Sequence, residues 1–211
     1  NPATGGINFS GHVNFTVEAW VNAPAGQADQ SSIIAKGLGD AGTTASEQFA
    51  LDVFANPGTG DPAFRFFTRG GGNSLYQAFA DIAPDGNWHH VVGVYDDLNV
   101  LLGGAKLYIF VDGDLRGEAG TRPAGLRAST LPVSIGSKHL GNNPNYDGTF
   151  NGAVDEVSVY SYALTSLQIS NHYYLAYPGI KPTISSQPAS LTVYESSPTP
   201  PKFTVGAYGG Q

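Results

Sequence analysis

Short runs of β-branched and aromatic residues, each closed by Gly, Pro, Asn or Asp, follow one another along most of this 211-residue chain. In FTVEAWVN (Phe15–Asn22) the residues Phe15, Val17, Ala19 and Val21 alternate with Thr16, Glu18, Trp20 and Asn22. Similar runs begin at Ser31, Glu47, Ala63, Ser74 and Leu131, and NWHHVVGVYD (Asn87–Asp96) is the strongest of them. AKLYIFVDGDLRGEA reads as a hairpin, because Asp112-Gly113 suits a two-residue turn that needs positive φ. One helix is expected, in ALTSLQISNHYY (Ala163–Tyr174), with Thr165 as N-cap and Gln168 three residues on. The 28 Gly and 14 Pro, with only 13% charged residues, fit a chain of many turns. The expected fold is all-β, two antiparallel sheets packed face to face with one short C-terminal helix.

The formal charge of −7 disfavours nucleic acid and anionic membranes as partners. No apolar run approaches the ~20 residues of a membrane span, so membrane insertion is not expected. The absence of Cys excludes disulfides, thiol catalysis and Cys-ligated zinc. The chain opens NPATGG without Met and without a signal peptide, and reads as a mature or trimmed piece. Beyond Tyr177 the composition turns to Pro, Ser and Thr, with strand-like pieces too few for a separate core. The expected organisation is a sandwich over 1–177 and a linker with a partial domain over 178–211.

FNGAVDEVSVY (Phe150–Tyr160) poses a question. Strict alternation puts Asp155 on one face with Val157 and Val159, and Glu156 on the other with Val154, Ser158 and Tyr160. A carboxylate on an apolar face must be hydrogen-bonded, protonated, at a rim or bound to a cation.

The ordered series FTVEAWV, IIAKG, WHHVVGVYD, LYIFVDGDLRG, PVSIGS and FNGAVDEVSVYSYALTSLQISNHY resembles the laminin G-like domains of the concanavalin A-like lectin/glucanase superfamily, in their bacterial form, over about residues 5 to 175. The resemblance implies a jelly-roll sandwich and a structural calcium ion. In that superfamily the aspartate opening the DEVSVY-type strand is a calcium ligand, which points to Asp155, with Asn8 among the loop co-ligands. The other reading of Asp155 is a turn cap that accepts backbone N–H bonds. The tail, with PTI, QPASLTV and FTV, resembles the opening of a bacterial immunoglobulin-like repeat. This implies a secreted or cell-surface multidomain parent.

The acid series E-x-D-x-x-E of the laminarinase-type relatives is missing, so no catalytic residue is assigned and a glycoside hydrolase ranks last. His89 and His90 point to opposite faces and cannot chelate one ion, and WHHVV reads as packing. Glu18 and Glu156 read as solvent-facing carboxylates. The candidate ligand loop is SKHLGNNPNYDGTFNG, with His139, Asn142, Asn143, Tyr146 and Asp147, residue types that hold sugars and also form turns. The first functional reading is a non-catalytic carbohydrate-binding module. The second is a structural or adhesive domain that contacts another surface protein, or self-associates through 179–211 by strand pairing.

Overall fold

A computed structural model describes residues 7–39, 47–101, 104–120, 125–140, 146–176, 183–186 and 206–208. Among them are fifteen strands and one α-helix. The strands are β1 (Asn14–Asn22), β2 (Ser31–Lys36), β3 (Leu38–Gly39), β4 (Phe49–Ala55), β5 (Pro62–Arg69), β6 (Leu75–Phe79), β7 (Trp88–Asp96) and β8 (Lys106–Val111). They continue with β9 (Asp114–Ala119), β10 (Val133–Ile135), β11 (Lys138–Leu140), β12 (Tyr146–Asp147) and β13 (Ala153–Tyr160). The helix α1 (Ser166–Ala176) follows, then β14 (Thr183–Ser186) and β15 (Gly206–Tyr208), which pair with each other.

Two five-stranded antiparallel sheets form the sandwich, in the orders β13-β1-β7-β8-β9 and β10-β2-β4-β5-β6. A small sheet, β12-β11-β3, joins the two segments that flank β2 and β10. The alternation in β1 has its expected consequence: Phe15, Val17, Ala19 and Val21 are all fully buried between the sheets. Phe15 is the hub, with its ring 4.7 Å from Phe9, 5.1 Å from Phe49 and 5.3 Å from Tyr95. Gly93 interrupts the valine row of β7 because the Phe66 ring lies across it. A Cβ there would sit 2.4 Å from that ring.

The β8–β9 hairpin turns at Asp112 and Gly113, both at positive φ (55° and 83°). The Asp112 carboxylate also accepts the His90 N–H at 2.9 Å and faces His89 Nδ1 at 2.8 Å. His89 reaches Asp85 through Nε2 at 3.1 Å, so one imidazole ties the turn to the start of β7. The helix begins as its capping box requires: Thr165 N–H donates to Gln168 Oε1 (2.9 Å), and Gln168 N–H to Thr165 Oγ1 (3.3 Å). Ala163, Leu164 and Ile169 pack the helical segment onto Val92, Val94, Tyr108 and Phe110, the outer face of β7 and β8. Thr16 Oγ1 pins this approach by donating to Tyr162 O and accepting from Leu164 N–H.

The alternation in β13 is broken. Ser158 pairs with Glu18 and Asp155 with Trp20, so two residues of β13 oppose the single Ala19. Glu156 takes φ of 50° within this bulge. The extra residue resets the period. Val154, Val157 and Val159 all pack against the core, and Asp155 turns to the outer face beside Trp20. The expected sharing of a face by Asp155, Val157 and Val159 is therefore corrected: no carboxylate points into the core at this place.

Candidate functional site

The outer face of β13, β1 and β7 is only partly covered by α1, which packs on β7 and β8 and reaches β1 through His172 and Tyr173. A cleft of about 840 Å³ lies there. Register fixes its floor. Trp20 lies opposite Asp155 on one side and His90 on the other, and Glu18 lies opposite Ser158. Trp88 and Asn87 form one end, His172 and Ala176 of α1 the roof, and Glu156 and Tyr160 complete the β13 side. Trp88 is 46% exposed at the mouth.

At its base, Glu18 is 6% exposed and held from three directions. Tyr160 Oη donates to Glu18 Oε1 at 2.6 Å, His172 Nδ1 is 3.0 Å from Oε2, and His90 Nε2 is 3.4 Å from the same oxygen. Burial raises the Glu18 carboxyl, but the hydrogen bonds of His90, His172 and Tyr160 outweigh it and bring it down to about 2. Burial, with Glu18 beside it, pushes the Tyr160 hydroxyl up to about 12. The Trp20 ring stacks on His90 at 5.3 Å and on Tyr173 at 5.7 Å. Glu18 is thus no solvent-facing carboxylate, which corrects that expectation, and His90 belongs to this polar assembly as well as to the stack. Glu156 is exposed at the cleft. His89 and His90 do face opposite ways, His89 edge-on to core Phe64 and His90 into the cleft wall.

The sequence-derived ligand loop lies elsewhere. His139 pairs with Tyr146 through the β11–β12 backbone. Asn142 and Asn143 fall outside the described residues. Asp147 is exposed and lines a smaller pocket of about 240 Å³ with Asp29, Gln30 and Lys138. The Lys138 ammonium is buried there, hydrogen-bonded to Gln30 Oε1 and 3.6 Å from Glu47.

Asp155 and Asn8 do not meet. Asn8 precedes Phe9, whose ring stacks on Phe15. Asp155 lies opposite Trp20, five residues or about 16 Å further along β1. Asp155 Oδ1 accepts the Glu156 N–H at 2.8 Å, the turn-capping bond of the bulge. The two do not fit a shared calcium ion, and among the described residues no group of three or more His, Asp or Glu is placed to hold a metal. No helix among them is long and apolar enough to cross a membrane.

The outer face of the second sheet is closed by other means. Arg65 donates to Asp52 twice, Nε to Oδ1 at 2.9 Å and Nη2 to Oδ2 at 2.6 Å. Its guanidinium lies 4.0 Å from the Phe54 ring centre and 4.7 Å from that of Phe67. This buried pair offers no free group to a ligand.

The architecture is shared with proteins of known structure. A native pentraxin from Limulus polyphemus is similar over 80% of this chain and 73% of its own, with a TM-score of 0.56 and 16% identity. A sialidase-borne module from Ruminococcus gnavus, bound to α2,3 sialyllactose, matches over 75% and 82% with a TM-score of 0.54 and 17% identity. Domain 4 of an extracellular arabinanase from Geobacillus stearothermophilus, in complex with arabinotriose, matches over 77% and 67% with a TM-score of 0.51 and 15% identity. At these identities the likeness establishes the fold. No curated protein matches the sequence. The family model described as the concanavalin A-like lectin/glucanases superfamily matches residues 3–170, and this chain belongs to that superfamily.

Proposed function

We propose that this chain is a non-catalytic carbohydrate-binding module of a secreted or cell-surface multidomain protein. The observation that carries the reading is the cleft on β13, β1 and β7, where the half-exposed Trp88 stands beside Asn87, Asp155 and Glu156. Sugars are held by an aromatic face, which takes the C–H side of a pyranose, with polar groups around it for the hydroxyls. The floor is a hydrogen-bonded sheet, so the groups are held in place before a ligand arrives. Sugar complexes of proteins with this fold support the same reading.

The chemistry of Glu18 argues against its serving as the proton donor of a glycosidase. A glycosidase needs a carboxylic acid that keeps its proton near neutral pH. Glu18 is ionised down to about pH 2 and its oxygens are taken by Tyr160, His172 and His90.

The test is depletion of the chain from solution by a series of insoluble polysaccharides, with the Trp88→Ala variant alongside and released sugar assayed in the supernatant. Depletion that needs Trp88 and releases no sugar supports the reading. Release of sugar overturns its non-catalytic part, and a folded chain that no polysaccharide depletes overturns it as a whole.

A further inference from the structure

We propose that the cleft selects a cationic sugar, an oligosaccharide carrying free amino groups, through Asp155 and Glu156 beside Trp88. The inference rests on the carbohydrate-binding reading of the same cleft and goes on to name the sugar's charge.

Three carboxylates line the cleft, Glu18, Asp155 and Glu156, and among the described residues no Lys or Arg does. Glu18 is matched by the two histidines that turn a ring nitrogen toward it. Asp155 and Glu156 are exposed, and among the described residues neither is in an ion pair. The bulge is what puts Asp155 there, beside Glu156. In a strand regular through Glu156, strict alternation would turn Asp155 inward with Val157 and Val159.

The aromatic lining points the same way. Indole and phenol rings attract a cation over their faces, and Trp does so best. Trp88, exposed at the mouth, can take an ammonium group as well as a C–H face. A second sign of an incomplete site is His90, 2% exposed in the cleft wall, whose Nδ1 has no hydrogen-bond partner among the described residues. Buried polar atoms are seldom left so. The same carboxylates, uncompensated by any described Lys or Arg, repel sialic or uronic acids. A basic peptide shares the positive charge. The fixed sheet floor and the single exposed indole fit the flat face of a pyranose better than a flexible lysine chain.

The experiment is calorimetric titration of the chain with fully deacetylated chitooligosaccharide and with its N-acetylated counterpart, which differ at each amine in charge and in the acetyl group, so that the carboxylate variant isolates charge. Sialyllactose and oligolysine serve as further ligands. The expected result is binding of the free-amine sugar at least about tenfold tighter than the acetylated one, with no binding of sialyllactose. The Asp155→Asn/Glu156→Gln variant, both sites being exposed, should keep its melting temperature and lose that preference. Equal or tighter binding of the acetylated sugar overturns charge selection and leaves the carbohydrate reading standing. Binding of oligolysine with neither sugar overturns both in favour of a peptide cleft. Silence toward every ligand here overturns the inference, and the polysaccharide depletion series decides whether the wider reading falls with it.

Discussion

The Tyr160 hydroxyl donates to the Glu18 carboxylate across 2.6 Å, joining edge strand β13 to β1 over 142 positions of sequence. His172 brings α1 to the same carboxylate. One acidic side chain therefore fastens the helix and the edge strand to the sheet, and forms the floor of the cleft above it.

Tyr160→Phe removes one charged hydrogen bond and leaves the ring in place. We expect a loss of about 1.5–3 kcal/mol in urea unfolding, since bonds to charged groups lie in that range. An unchanged midpoint would show that the bond is replaced by water at no cost.

Glu18 gives stability a pH dependence of definite sign. Its carboxyl is lowered in the folded state from 4.5 to about 2, so its contribution is complete above about 4.5 and disappears as pH falls toward 2. Solvent in the cleft above the group screens it, which limits the effect to about 1–2 kcal/mol. Melting temperature against pH should fall less steeply over this window in Glu18→Gln than in the parent.

His89 acts in the opposite sense. The Asp112 hydrogen bond raises its imidazole, burial works against this, and Asp85 adds to the rise. Stability from the charged imidazole is complete below the ordinary histidine value of about 6.5 and is lost as pH climbs through the raised folded value. Solvent access holds the effect to about 1 kcal/mol or less. Asp112→Asn keeps a residue that tolerates positive φ and should flatten the melting curve as pH rises above the ordinary histidine value of about 6.5. A slope as steep as the parent's would remove His89 as its cause.

Arg65→Ala strands Asp52, which is fully buried. A buried charge without its partner costs about 3–5 kcal/mol. Replacing both, as Asp52→Leu/Arg65→Met, should cost less than Arg65→Ala alone in denaturant unfolding. A double variant weaker than the single one would mean that the ring contacts of Arg65 with Phe54 and Phe67 outweigh its charge.

Gly117→Ala should be severe, because a Cβ there would sit 1.9 Å from the Phe79 carbonyl oxygen of the facing sheet's last strand. Overpacking of this kind costs about 1–3 kcal/mol or more. The change is read as a lower urea midpoint, and an unaltered midpoint would mean that the two sheets separate there without penalty.

Local signals carried most of the fold. Alternation in FTVEAWVN, the Asp112-Gly113 turn and the Thr165/Gln168 box each depend on residues a few positions apart, and each forms as its chemistry demands. The site was less legible, for a physical reason. Glu18 looks like an ordinary outward carboxylate until Tyr160 and His172, more than 140 positions away, close on it. The bulge at Glu156 carries no residue signal of its own, since a glutamate rarely takes positive φ. Its only trace was the oddity of an acid in phase with two valines. The Asp147 loop stood out because Asn, Gly and Asp are common to turns and to sugar sites, and composition does not separate the two.

The central claim is that the Trp88 cleft binds carbohydrate. Its most direct test is a glycan array probed with the parent chain and with Trp88→Ala, both verified as folded. We predict discrete binding by the parent and a loss of about tenfold or more in the variant, as expected for an aromatic anchor. Equal binding by both chains would move the site off this cleft, and no binding by the folded parent would contradict the account.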